Sequence, residues 1–201
     1  MVNRFQQTLT TLPRTFYSRD TITVAKSLLG KKIVRKIGKH EISGIIIETE
    51  AYRHKDDPAS HAFRKITERN KAMFDEVGKA YIYFIYGMHY CFNVVARNSK
   101  FEAGAVLIRA IIPEKGIEIM EKNRGIKDRK KLTNGPAKLT QALGITKEHY
   151  GVDLTVDSKL FIAEGIKPVK IIASPRIGIK DATDKLWNFK ISISVTFVPE
   201  I

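Results

Sequence analysis

The feature that most constrains the fold is a series of short apolar segments separated by turn residues. Two pairs of these segments are predicted to form β-hairpins, because a glycine-containing dipeptide joins the two members of each pair. The first hairpin comprises residues 32–37 and 41–50 around Gly38-Lys39, and the second comprises residues 81–86 and 89–96 around Gly87-Met88. Further strands are predicted at 105–112, 170–174 and 190–198. Hairpins pair antiparallel strands, so the sequence predicts a largely antiparallel, curved sheet.

Helix signals are few and lie between the predicted strands. Asp20 is placed to cap a helix that runs through Leu29, with Gly30 as its stop, and residues 116–124 read as a second helix. Pro136 is suited to the first position of a third helix, which Gly144 would end. With no repeat and no linker, the pattern predicts one α+β mixed domain over residues 1–201, with helices flanking the sheet.

The net charge of the chain indicates what kind of partner it binds. The chain carries 35 Lys and Arg against 21 Asp and Glu, a net charge of +14 that is spread along its length. Such a surplus favours a polyanion such as a nucleic acid, although a basic protein without such a partner stays open as the alternative. No stretch approaches the roughly eighteen apolar residues of a membrane helix, and the N-terminal residues lack a signal-peptide core. Together with the single cysteine, these features predict an intracellular protein that binds no membrane.

The strand at residues 45–52 carries two carboxylates near its end, Glu48 and Glu50. The two-residue period of a strand puts both on one face. A carboxylate at the mouth of an apolar strand can be partly desolvated and act as a general base. The alternative is a pair of solvated acids, and the strand pattern alone leaves both interpretations open.

The second hairpin is rich in tyrosine, with four within residues 81–90. Aromatic rings stack on nucleic-acid bases, whereas aromatic strand residues also pack in ordinary cores. Both interpretations stay open for Tyr81 and Tyr83. Tyr86 stands beside the Gly-Met turn, where core packing is disfavoured because hairpin tips are usually exposed.

Three isolated polar residues are weaker candidates. Asn93 and Arg109 lie inside apolar strands, where an ordinary buried hydrogen bond is the alternative to a functional role. His61 lies in a long polar segment, residues 53–76, and the alternative there is simple exposure. The five histidines are scattered and there is one cysteine, so no metal-ligand spacing occurs, and no nucleotide-binding glycine fingerprint is present. We therefore expect neither a metal nor a cofactor.

Six ordered motifs together resemble one protein family. They are ETEAY (48–52), DPASHA (57–62), TERNKAMF (67–74), YIYFIYGMHYCFN (81–93), VLIRA (106–110) and NGPAKL (134–139). The chain is similar, over about residues 28–178, to the single-domain alkyladenine (3-methyladenine) DNA glycosylases, which are distinct from the helix-hairpin-helix glycosylases. The resemblance implies a metal-free, monofunctional enzyme. It would flip an alkylated or deaminated purine out of duplex DNA, hydrolyse its N-glycosidic bond and leave an abasic site.

The resemblance also implies residue roles. Glu50 would activate the hydrolytic water, and Arg109 would hold that water and orient Glu50. At the tip of a protruding hairpin, Tyr86 would enter the DNA minor groove and fill the gap left by the flipped base. The base pocket would consist of Tyr52, His61 and Tyr83, bordered by Asn93.

One position departs from the family pattern. Where a segment resembling Pro-Trp-Arg-Phe is usual, this chain has Leu186-Trp187-Asn188-Phe189. If the family arginine touches the phosphate backbone, that contact is in doubt here, and Lys185 and Lys190 are the candidate replacements. Two other functions stay open: a non-catalytic protein that binds damaged nucleic acid, and a hydrolase of small nucleosides. For the glycosylase, the expected partner is double-stranded DNA with a damaged purine, bound by a monomer.

Overall fold

The computed structural model describes residues 9–191, and its strands form one curled sheet. The strands are β1 Lys32–Ile37, β2 His40–Arg53, β3 Ala80–Ile85, β4 His89–Val95, β5 Gly104–Lys115, β6 Leu160–Ala163, β7 Ile171–Ser174 and β8 Asn188–Ile191. The order across the sheet is β3-β4-β5-β2-β1-β6, with β8 paired to β2 and β7 paired to β8. All the strand pairs of the described chain are antiparallel, which confirms the predicted α+β class and sheet type.

Short helices cover the sheet. They are α1 Arg14–Tyr17, α2 Thr21–Leu28, α3 Ile117–Arg124 and α4 Pro136–Ala142, with 3-10 turns at Lys71–Phe74, Arg129–Lys131 and Lys147–His149. The predicted cap is confirmed, because the Asp20 carboxylate accepts hydrogen bonds from the backbone N–H groups of Ile22 and Thr23. Val24 and Leu28 of α2 are buried in the main core with apolar residues of the sheet. Among residues 9–191, no helix is long and apolar enough to span a membrane.

The β3–β4 hairpin ends in a turn that differs from the predicted one by one residue. Strand β3 stops at Ile85, and Tyr86 belongs to the turn itself, with φ of +51° beside Gly87 at +68°. Two successive residues with positive φ suit the right-handed twist of a two-stranded ribbon. The shift places Tyr86 at the apex of the hairpin, where its side chain is 87% exposed.

Strand β2, which carries Glu48 and Glu50, is paired with other strands along both edges. One edge pairs with β5, and the other pairs first with β1 and then, at Glu48 to Glu50, with β8. The β2–β5 pairing is irregular at Glu48, which lies opposite Ala110, while Thr49 lies opposite Ile108. Arg109 is therefore an extra, unpaired residue in β5. Such bulges re-aim side chains, and they are frequent next to active sites.

The segment between β2 and β3 is irregular, as predicted, with one 3-10 turn in it. It nevertheless has its own buried apolar cluster, which includes Ala62 and Met73 from the segment and Tyr81 and Ala105 from the sheet. This packing holds the segment against the face of the sheet and brings His61 to the site.

The C-terminal strands are confirmed only in part. Residues 170–174 match β7, but β8 begins at Asn188, two residues before the predicted start, and β6 was not predicted. Residues 192–198 of the predicted last strand lie outside the described residues, so that part and the single-domain span 1–201 stay predictions. The earlier start matters, since it places Asn188 inside the sheet.

Candidate active site

A cleft of about 880 Å³ lies between the β3–β4 hairpin, the long irregular segment and the region around Ile177. Six of the seven side chains to which the family resemblance gives a role line this cleft: Tyr52, His61, Tyr83, Tyr86, Asn93 and Arg109. The seventh, Glu50, has no exposed surface and lies directly behind the cleft wall, in contact with Tyr52, Arg109 and Ile177. The fold thus brings all seven together.

Glu50 is held by four hydrogen-bond donors. Its Oε2 accepts from the Tyr52 hydroxyl at 2.8 Å and from Arg109 Nη1 at 3.3 Å. Its Oε1 accepts from the Ile177 backbone N–H at 2.8 Å and from Asn188 Nδ2 at 3.0 Å. A carboxylate offers about four acceptor sites, so every site of this buried anion is used. The interpretation of Glu50 as a solvated acid is therefore wrong.

Glu48 shares two of these partners. Arg109 Nε donates to its Oε1 at 3.0 Å, and Asn188 Nδ2 donates to the same oxygen at 2.8 Å. Lys190 Nζ lies 3.4 Å from that oxygen at the solvent side. The common partners confirm that Glu48 and Glu50 share one face of β2. Glu48 keeps some exposure, at 16% of its side chain, and lies outside the cleft lining.

Arg109 connects the two carboxylates because the β5 bulge turns its side chain towards them. The guanidinium contacts Glu48 through Nε and Glu50 through Nη1, and 12% of the side chain remains exposed towards the cleft. A planar guanidinium has five donors in a fixed geometry, so two contacts leave further N–H groups for a ligand.

Tyr52 is fixed from behind. The Arg176 guanidinium lies over its ring, 4.7 Å from the centroid, and is itself paired with Asp57 at 2.6 Å, with both charged side chains fully buried. Burial, reinforced by the negative charge of Glu50, raises the pKa of Tyr52, so its hydroxyl remains a donor to Glu50 at neutral pH. The Tyr52 ring therefore forms part of the cleft wall while its hydroxyl donates a hydrogen bond to Glu50.

The opposite wall is aromatic. His61 packs edge-on against Tyr83, with ring centroids 4.8 Å apart, and its Nδ1 lies 3.1 Å from the Tyr81 hydroxyl. Burial, assisted by the positive charge of Arg69, lowers the pKa of His61, which favours the neutral ring. Both tyrosines border the cleft: Tyr81 is almost fully buried and belongs to the small core cluster, while Tyr83 is half-buried beside it. The role of Tyr83 in base binding stays a prediction.

Asn93 is buried at the cleft wall, where its Nδ2 donates to the Tyr81 carbonyl at 3.1 Å. That bond fixes the plane of the amide. Cys91, two residues earlier on β4, is also buried against the cleft, and burial raises the pKa of its thiol.

Asn188, which departs from the family pattern, lies inside the fold. Its side chain is fully buried and faces the two carboxylates, so in this chain it is not placed to contact a phosphate backbone. Lys185 Nζ lies 4.7 Å from the centroid of the Trp187 ring, and Lys190 Nζ lies 3.4 Å from Glu48 Oε1. Their role as replacements for the family arginine stays a prediction. Sequence reasoning also gave no role to Asp57, although the motif that contains it was recognised, or to Arg176.

In the described part of the chain, no group of three His, Cys, Asp or Glu side chains is arranged to hold a metal ion. The chemistry available to the site is that of a buried carboxylate beside an arginine, at the wall of an aromatic cleft. This arrangement can bind a flat heterocycle and deprotonate a small nucleophile next to it.

Comparison with known proteins agrees with this chemistry. A family model described as Methylpurine-DNA glycosylase (MPG) matches residues 15–194. A protein of Carboxydothermus hydrogenoformans, named "Putative 3-methyladenine DNA glycosylase", is 50% identical over 181 residues, which cover 89% of this chain and 93% of that protein. Proteins of the same name are 49% identical in Chlorobaculum tepidum (86% of this chain, 83% of that protein) and 43% identical in Methanocella arvoryzae (89% and 90%). The chain therefore belongs to the methylpurine-DNA glycosylase family and is a DNA glycosylase.

Proposed function

We propose that this chain excises alkylated purines, 3-methyladenine first among them, from duplex DNA by hydrolysis of the N-glycosidic bond. The observation that carries the proposal is the buried Glu50 carboxylate, held by Arg109 and Tyr52 at the wall of a cleft large enough for a purine. The products are the free base and an intact abasic site.

Glu50 is the general base in this proposal. The water oxygen attacks C1′ of the deoxyribose, the C1′–N bond breaks with its electron pair going to the leaving base, and the water proton goes to Glu50. The carboxylate also stabilises the positive charge that develops on the sugar. Its contact with Arg109 Nη1 is the longest of its four hydrogen bonds, at 3.3 Å, so we propose that this contact opens to admit the water and frees Oε2 to accept its proton.

The damaged base must leave the stack before this chemistry is possible. We propose that the purine is flipped into the cleft against Tyr52 and Tyr83, with Asn93 at its edge. Tyr86, at the apex of the hairpin, fills the gap left in the duplex. Its exposure in the free protein supports this role, because a large ring in water has no packing function.

The lesion range includes neutral bases. Arginine already lies over both tyrosine rings, Arg176 at 4.7 Å from the Tyr52 centroid and Arg69 at 5.5 Å from the Tyr83 centroid. A cation that already lies beside each ring repels a cationic purine and so reduces the attraction that the ring offers it. Stacking and shape therefore contribute more than lesion charge, and we propose hypoxanthine and ethenoadenine as substrates beside methylated purines.

Double-stranded DNA is the proposed partner, bound by a monomer inside the cell. Besides the net charge of +14, a smaller pocket of about 340 Å³ adjoins the cleft at His61 and carries three cations, Arg64, Lys65 and Arg69. Arginine and lysine at the rim of a base-binding cleft suit the phosphates on either side of a flipped nucleotide.

Mass spectrometry of the bases released from duplexes with single lesions tests the proposal. We expect free 3-methyladenine, with 7-methylguanine, hypoxanthine and ethenoadenine as further products, and activity that persists in EDTA. Borohydride should trap no protein–DNA adduct, since water is the nucleophile. Release of no base from any duplex, or equal activity on free nucleosides, would refute the proposal.

A further inference from the structure

Among residues 9–191, Asn188 is the one neutral side chain that joins the two carboxylates of the site. Its Nδ2 lies 2.8 Å from Glu48 Oε1 and 3.0 Å from Glu50 Oε1, and the side chain is fully buried. It does not line the cleft, so it has no direct access to the flipped base. Its contribution to the reaction must therefore pass through the carboxylates.

The orientation of the amide is fixed by a second strand. The Ser174 hydroxyl donates to Asn188 Oδ1 at 3.2 Å, and the two residues pair across β7 and β8. On its other side, Asn188 pairs with Glu50 across β8 and β2. The amide oxygen is thus occupied by a donor, which leaves the NH₂ group to face the acceptors. A flipped amide would place its oxygen against two carboxylates and lose both bonds.

Two neighbouring carboxylates that share one guanidinium repel each other, and repulsion disfavours having both ionised. A neutral donor between them reduces this cost without adding a cation that would compete with Arg109. From this geometry we propose that Asn188, with its amide orientation set by Ser174, is a positioning residue that keeps Glu50 ionised and aligned for hydrolysis. The inference rests on the proposed role of Glu50 as the general base.

The test is the pH dependence of single-turnover excision from a lesion duplex. Asn188→Asp has nearly the same shape but puts a third carboxylate beside Glu50. We expect the acid limb of the profile to move to higher pH by about one unit or more, because the added negative charge disfavours the ionised base. Affinity for the lesion duplex should stay within a few-fold of the wild type, since Asn188 is outside the cleft.

Two further variants separate position from charge. Asn188→Leu removes the donor without adding charge, and we expect the plateau rate to fall about tenfold or more, as for a lost hydrogen bond to a charged group. Ser174→Ala leaves the bridge in place and removes only the donor to the amide oxygen, so its loss should be smaller than that of Asn188→Leu.

A matched control measures the effect of stability alone. Thr21 is buried on α2 and donates to the Ala96 carbonyl at 2.9 Å, away from the cleft. Thr21→Val also removes one buried hydrogen bond, and its pH profile should coincide with that of the wild type.

The outcomes distinguish this inference from the proposed function. If Glu50→Gln abolishes excision but Asn188→Asp keeps both the wild-type acid limb and the wild-type plateau, the positioning role is refuted and the proposed function stands. If Glu50→Gln retains excision, the role of Glu50 as the general base is refuted, and the positioning role of Asn188 is refuted with it. Should Asn188→Asp fail to fold, a wild-type plateau rate in Asn188→Leu would be sufficient to overturn the inference.

Discussion

Removal of the Tyr86 ring should weaken base flipping and leave the fold intact. The side chain is 87% exposed at the apex of the β3–β4 hairpin, and its φ of +51° is one that side-chain-bearing residues rarely adopt. An exposed site predicts that Tyr86→Ser changes the free energy of unfolding by less than about 1 kcal/mol. Tyr86→Gly should be at least as stable, because glycine relieves the left-handed backbone.

The loss in function should be much larger. Stacking of an aromatic ring on bases contributes about 1–3 kcal/mol, and unstacking a base costs a few kcal/mol, so one ring is enough to shift the flipping equilibrium. At about 1.4 kcal/mol per factor of ten, the rate of excision from duplex DNA should fall roughly 5- to 150-fold. Tyr86→Trp, which keeps an aromatic ring, should retain most of the activity.

The assay is single-turnover excision of ethenoadenine, with the fluorescence change on extrusion recorded in parallel and thermal unfolding measured on the same samples. On single-stranded DNA no gap needs filling, so Tyr86→Ser and the wild type should differ little there. A large loss of stability with normal extrusion by the folded fraction would refute this reasoning, because that combination is expected of a core residue.

Two further predictions concern residues around the cleft. Asn93→Ala should change the ratio of adenine-type to guanine-type bases released from a lesion panel more than it changes the best rate, because a pocket built around a hydrogen bond discriminates strongly; an unchanged ratio would contradict a role in selectivity. Arg176→Met should reduce the free energy of unfolding in urea by about 3–5 kcal/mol, because it leaves the buried Asp57 carboxylate without its partner. The double variant with Asp57→Leu should recover part of that loss, and equal losses in the single and double variants would contradict the argument.

The local parts of this structure could be predicted from the sequence. The hairpins and the helix cap depend on residues close together in the chain, and the main error there, at Tyr86, was a one-residue shift of the turn. Turn residues define a hairpin well, but whether the last aromatic belongs to the strand or to the turn depends on backbone angles that side-chain patterns do not reveal.

The long-range parts could not be predicted. Asn188 and Glu50 are separated by 138 residues, and only the pairing of β8 with β2 brings them together. The extra residue of β5 that aims Arg109 is an irregularity of pairing, which has no signal in an apolar strand. The Asp57–Arg176 pair spans 119 residues. The six ordered motifs identified the cleft residues. They carried no information about the contacts that hold those residues in place.

The central claim is that Glu50 is the base, and a comparison of Glu50→Gln with Glu48→Gln tests it most directly. Arg109 and Asn188 donate hydrogen bonds to both carboxylates. In either variant the new glutamine NH₂ group can face these donors, so each variant can serve as the stability control of the other. We predict that Glu50→Gln binds the lesion duplex but loses about two orders of magnitude or more in single-turnover excision, while Glu48→Gln loses far less. An equal or greater loss in Glu48→Gln would contradict the assignment.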